Sequence, residues 1–205
     1  LVISDTQFLT TLPKREIICG YGEILKHSII GNKKFYNFLN NHRAKILKLT
    51  SPFLEKAIYE SCRIKKTVVE KDEKENGLRK ILNFGHSFAH AYEATLGFSK
   101  KLNHGEAVIL GMKTALNFSF KLKLMNKREY YSIIDHIDNS DLQSSVSKFF
   151  SPKDINKILK FMTKDKKNRS NKINLVLLKK IGTPIINKEY SKKKLSLFLK
   201  IFLRN

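Results

Sequence analysis

Cysteine is almost absent from this 205-residue sequence, with Cys19 and Cys62 the whole supply. Two such thiols make neither a disulfide framework nor a zinc ribbon, and they suit a reducing compartment. Glycine is scarce too, at nine residues, and no glycine-rich turn of the kind that cradles a dinucleotide occurs. No run of 18 apolar residues is found, so a membrane-spanning helix is not expected. No basic-then-apolar leader opens the chain, and a cytoplasmic location is expected. Leu1 stands where an initiating Met would, which reads as a chain that begins mid-protein. Acidic residues are few, 18 Asp and Glu against 40 Lys and Arg, for a net charge of +22. That balance invites a nucleic-acid partner. The lysines, however, are spread along the whole chain, and no zinc finger, basic zipper or aromatic-interleaved basic motif appears. Neither a membrane nor a nucleic acid is an expected partner.

What is present is enough for a core: 41% hydrophobic residues, with 14 Phe. One domain over 1–205 is expected. Apolar periodicity predicts helix almost throughout. A first helix starts at Thr11-Leu-Pro13 and stops near Gly31, and a short one covers Phe35 to Leu39. Ser51-Pro52 opens a longer one through Val68. A charged link from Glu70 to Gly77 leads into a histidine-bearing helix ending near Gly97, and His104-Gly105-Glu106 starts another. Helices follow at 127–138, at 151–162 and from Ser191 to Leu203. Ile173 to Leu178 is the one convincing strand, broken at Gly182-Thr-Pro184. The fold class is mostly α, with a short β element near 172–187.

The segment Arg79-Lys-Ile-Leu-Asn83-Phe-Gly-His86-Ser-Phe-Ala-His90 carries the chemistry. Read as one helix, it places Arg79, Asn83, His86 and His90 within roughly 60° of each other at about 100° per residue. The residues between them are apolar, so the polar stripe faces protein or a cleft, where unpartnered groups cost several kcal/mol. A single histidine is best read as a core residue satisfied by a neighbour. Two at i, i+4, with His104 shortly after, favour a site in which both bind metal or one ligates while the other moves protons. Glu23 and Lys26, three apart on the first helix, read as an ion pair. Glu23 with His86 and His104 would form a two-histidine, one-carboxylate set suited to a divalent ion, most naturally zinc.

Several ordered segments resemble the C-terminal half of the 3-dehydroquinate synthase family. They are Thr11-Leu-Pro13-Lys-Arg15-Glu16 with Gly20-Tyr-Gly-Glu23-Ile-Leu-Lys26, then Ser61-Cys-Arg-Ile-Lys65 and Asp72-Glu73-Lys-Glu75-Asn-Gly77-Leu-Arg79. Leu82-Asn83-Phe-Gly-His86-Ser-Phe-Ala-His90-Ala-Tyr-Glu93 and His104-Gly-Glu106 are the strongest, and Asp165-Lys166-Lys167 completes the order. The resemblance covers about residues 1 to 185. Ser87 and Ala89 replace the family's usual Thr and Gly, and Tyr21-Gly22 its usual Leu-Ala, a change expected to loosen the first helix slightly.

The resemblance implies an NAD- and zinc- (or cobalt-) dependent lyase of the shikimate pathway, converting 3-deoxy-D-arabino-heptulosonate 7-phosphate to 3-dehydroquinate and phosphate. It implies zinc on Glu23, His86 and His104, and proton transfer at Glu75 and His90. Substrate would be held by Glu23, Lys26, Lys65, Arg79, Asn83, His86, His104 and Lys166, and NAD would be touched by Phe8, Leu9, Thr10 and Thr11. It also implies a homodimeric full-length protein and an N-terminal NAD-binding α/β half that this sequence does not contain, so the chain alone is expected to be inactive. Rival readings are another sugar-phosphate cyclase, a metal-dependent polyol dehydrogenase domain, and a non-catalytic basic binding module.

Overall fold

Amphipathic periodicity becomes helix over most of the chain, and the computed structural model describes residues 3–140, 142, 145–163 and 172–204. A 3-10 turn at Thr6–Thr11 precedes α1 (Lys14–Gly31). The Pro13 carbonyl accepts the Glu16 and Ile17 amides at 2.9 and 3.3 Å, starting α1 where the proline predicts. Asn32 ends α1 and caps α2 (Lys33–Leu47), its side chain accepting the Phe35 amide at 2.8 Å. α2 is longer than the predicted Phe35–Leu39 piece because tertiary packing carries it onward. His42 lies between the Phe38 and Phe53 rings, at 4.9 and 4.6 Å. α3 (Phe53–Lys71) follows a cis Ser51–Pro52 bond.

The histidine segment departs from the predicted single helix. A 3-10 turn spans Leu78–Asn83, Gly85 takes φ +83°, and only then does α4 (His86–Thr95) begin. Gly85 is required twice over. A side chain would strain its left-handed backbone, and a Cβ there would lie 2.7 Å from the Met112 amide nitrogen. Arg79 and Asn83 therefore do not share a helical face with His86 and His90, and the 100°-per-residue argument fails for that pair.

α5 (His104–Lys121) is the central helix. Asn103 and Glu106 form a reciprocal capping box at its start, and twelve of its eighteen residues are buried, so neighbours cover it on nearly every side. α1, α4, α6 (Lys127–Asp138) and β1 (Lys172–Lys180) pack around it. α7 (Ile155–Thr163) lies against α4, and α8 (Lys192–Phe202) against α7.

β1 pairs antiparallel with β2 (Thr183–Ser191), from Lys172 opposite Ser191 to Lys180 opposite Thr183. The predicted break at Gly182 is in fact the hairpin turn, with Gly182 at φ +77° and its amide donating to the Ile29 carbonyl at 2.8 Å. Pro184 is tolerated because β2 pairs with β1 alone among the described residues. Asn187, at φ +58°, interrupts the pleat further on.

His136 on α6 is a satisfied core histidine. Its Nε2 lies 2.7 Å from the Tyr21 hydroxyl and its Nδ1 3.0 Å from Asn40 Oδ1. Burial, with Arg43 adding to it, pushes its pKa down to about 3. Both cysteines are free, Cys19 half-buried and Cys62 exposed. No described helix is long and apolar enough to cross a membrane.

Candidate metal and anion site

Three helices bring the site together. α1 supplies Glu23 and Lys26, α4 supplies His86, His90 and Glu93, and α5 contributes His104 as its first residue. Small residues allow the approach. A Cβ on Gly105 would fall 2.7 Å from Cys19 Cα, and one on Gly22 would fall 2.8 Å from Ile109 Cγ1. Gly22 thus fits the space left by Ile109, so its chief effect here is close packing of α1 on α5 rather than a loosened helix. Arg15 holds both Glu106 oxygens, at 2.8 and 2.6 Å, and reaches the Lys100 carbonyl at 3.1 Å. The start of α5, and with it His104, is thereby tied to α1.

The three imidazoles cluster as expected. Ring centres are 5.5 Å apart for His86 and His90, 5.7 Å for His86 and His104, and 6.0 Å for His90 and His104. His90 and His104 are exposed and His86 is half-buried, so the stripe lies along an open groove and not inside the core. A neighbouring pocket of about 430 Å³, lined in part by Glu16, Cys19, Glu93 and Asn103, meets the stripe at His104. Burial and the Lys26 charge push the His86 pKa down to about 4, leaving a neutral imidazole with a lone pair to offer.

Glu23 and Lys26 pair as their spacing predicts, with the ammonium 2.8 and 3.1 Å from the two carboxylate oxygens. Lys26 is only 3% exposed. Burial alone would raise the Glu23 carboxyl, but Lys26 outweighs it and holds the carboxyl below its usual value. Replacing Glu23 by Ala should therefore cost about 1–3 kcal/mol, because it leaves a buried cation unpaired. Adding Lys26→Met should recover most of that loss in urea unfolding with chelator present. A double variant no more stable than the single one would contradict the pairing.

Glu23, His86 and His104 offer a carboxylate and two imidazoles, a donor set that fits zinc or cobalt. Among the described residues, however, the trio whose donor atoms all lie within 4.8 Å is His90, Glu93 and His104. The Glu23 oxygens are taken by Lys26 instead. Glu93 was given no role by sequence reasoning, although its place three residues after His90 puts the two side by side on α4.

The residues expected to hold the substrate's anionic groups fall in two groups. Asp72 accepts the amides of Asn76, Gly77 and Arg79 at 2.8–2.9 Å, bonds that hold its carboxyl below the usual range. This folds the 72–79 loop so that Glu75, at φ +56°, accepts from Asn83 Nδ2 at 2.7 Å. Arg79 Nη1 donates to the Glu73 carbonyl at 2.6 Å. Lys65, exposed on α3, is close enough to Lys26 to depress it slightly, after burial itself. The Phe8–Thr11 stretch lies in the 3-10 turn, with Phe8 exposed and both threonine hydroxyls bonded within the turn. Lys166 lies outside the described residues.

Residues 20–168 match the family described as 3-dehydroquinate synthase C-terminal, and the chain belongs to that family. It is 60% identical over 200 residues to the 3-dehydroquinate synthase of Pelagibacter ubique (strain HTCC1062), covering 98% of this chain and 54% of that protein. It is 36% identical over 205 residues to the enzyme of the same name from Bradyrhizobium diazoefficiens, covering 98% and 53%. The chain thus spans about half the length of the curated relatives it matches.

Among solved structures it resembles ValA, the 2-epi-5-epi-valiolone synthase of Streptomyces hygroscopicus subsp. jinggangensis 5008 with NAD+ and Zn2+ bound. The TM-score is 0.83 at 20% identity, over 98% of this chain and 54% of that one. A 2-deoxy-scyllo-inosose synthase complexed with carbaglucose-6-phosphate, NAD+ and Co2+ gives 0.81 at 21%, over 97% and 56%. At those identities the likeness establishes the fold.

Proposed function

We propose that this chain is the metal- and substrate-binding part of a 3-dehydroquinate synthase, which converts 3-deoxy-D-arabino-heptulosonate 7-phosphate to 3-dehydroquinate and phosphate. The observation that carries the reading is the meeting of His86, His90 and His104 beside the Glu23–Lys26 pair. The high identity to relatives of that name supports it over the other cyclases.

Glu23, His86 and His104 would hold the metal, and Phe8 to Thr11 would touch NAD. When bound, zinc supplies Lewis-acid polarisation of alcohol and ketone oxygens, and NAD supplies reversible hydride chemistry. The chain's own residues do the rest. His90, its ring 5.5 Å from that of His86, relays the proton of the substrate hydroxyl to water, which its exposure allows. Glu75 is the second proton-transfer group, held through Asn83. Arg79 and Asn83 on the 3-10 turn, with Lys26, Lys65 and Lys166, neutralise carboxylate and phosphate. Glu23 would serve as a ligand only by giving up its pairing with Lys26, whose ammonium would then be available to a substrate anion.

The test is complementation. The chain would be fused behind the part of the Pelagibacter protein that precedes the matched region, and phosphate release from the heptulosonate phosphate measured with NAD and zinc. Release from the fusion, lost with His86→Ala, and none from the chain alone, is the expected result. A silent fusion that binds both cofactors would overturn the reading.

A further inference from the structure

The capping box and Arg15 fix the backbone of His104, but its side chain is 55% exposed and free to rotate on its open side. Something must choose which nitrogen faces the groove. Glu93 reaches it from α4, both carboxylate oxygens 3.2 Å from His104 Nδ1. Its side chain is 13% exposed, and among the described residues its carboxylate has hydrogen bonds to His104 alone.

An ionised carboxylate can only accept, and a neutral imidazole carries one N–H and one lone pair. The nitrogen facing Glu93 must then bear the proton. We propose that Glu93 is the positioning residue of His104, accepting its Nδ1–H and leaving the Nε2 lone pair for the metal. This rests on the reading of His104 as a ligand given above. Carboxylate–histidine–metal relays of this kind fix both tautomer and ring plane. The competing arrangement, in which Glu93 itself ligates with His90 and His104, would leave His86 and Glu23 without a part in metal binding.

Two measurements on the 205-residue chain separate these cases. The first is 15N NMR of the His104 ring nitrogens in the metal-free chain at pH 8. Wild type and Glu93→Gln, whose amide oxygen still accepts, should show the Nδ1–H tautomer, and Glu93→Ala should shift toward Nε2–H. A wild-type His104 already protonated on Nε2 would overturn the proposal. The second is zinc affinity by competition with a chromogenic chelator. Glu93→Ala should weaken binding about 10- to 100-fold, Glu93→Gln by less than tenfold, and His104→Ala to background. Unaltered affinity in Glu93→Ala overturns the proposal, as does a Glu93→Gln as weak as His104→Ala. If wild type binds no zinc while the tautomer responds as stated, the metal reading falls and the positioning role stands.

Discussion

Lowering the pH from 7.5 to 5 should remove on the order of 2 kcal/mol of folding stability for each of two buried histidines, His27 and His136. His27 is held by the Ser61 hydroxyl at 2.7 Å, and burial followed by Lys26 pushes its pKa down to about 4. His136, between Tyr21 and Asn40, is pushed down to about 3. Both are neutral in the fold, whereas the unfolded chain protonates them below the ordinary 6.5. The unfolded state therefore binds more protons in this window. Stability is constant above pH 6.5, falls as pH drops, and stops falling on this account only below about 4 and 3. Urea midpoints recorded with chelator at half-unit pH steps would show a slope near three protons around pH 5, His86, pushed down to about 4, supplying the third. His136→Gln should flatten it by one. A midpoint level between pH 7 and pH 5 would contradict the assignment.

Gly111→Ala is expected to cost about 3 kcal/mol or more, near the upper end of overpacking effects. The added Cβ would meet the Gly85 carbonyl oxygen, lie 2.9 Å from the Ala89 amide nitrogen and 3.1 Å from the Gly85 carbonyl carbon. All three are backbone atoms of the first turn of α4 or its approach. No side chain can rotate away, so the two helices must separate. Calorimetry should show the melting temperature lower by about 6–12 °C. Because His86 follows Gly85 directly, zinc affinity should fall as well. Gly20→Ala is the matched control. It lies exposed within α1 with nothing within 4 Å of the added Cβ, and should stabilise by up to about 1 kcal/mol. Equal melting temperatures for Gly111→Ala and wild type would refute the close-contact account.

Much of this was readable from residue pattern. α6 spans 127–138 as its apolar spacing predicts, because Asn126 caps it and one face is clearly apolar. α5 starts at His104 as expected for the same kind of reason. The misread region shows where pattern reading stops. From Arg79 to His90 the apolar spacing suits a single helix, yet the Gly85 contact with Met112 is set by a helix some twenty-five residues away, which local periodicity cannot register. The histidines still converge, but by tertiary packing of α4 on α5 and not by a shared helical face. Glu93 escaped notice for a related reason, since its partner His104 lies on another helix. His136 and His27 illustrate the bland reading of a histidine, each satisfied by a hydroxyl in the core.

The β1–β2 hairpin has one ladder among the described residues, which leaves each strand an outer flank. On β2 that flank carries a proline with no amide to offer, a left-handed Asn187 that breaks the pleat, and Lys188 beside it. A second molecule trying to extend the sheet would find a missing donor, a kinked template and a charge. Those three residues make the β2 side of the hairpin a poor template for another molecule's strand.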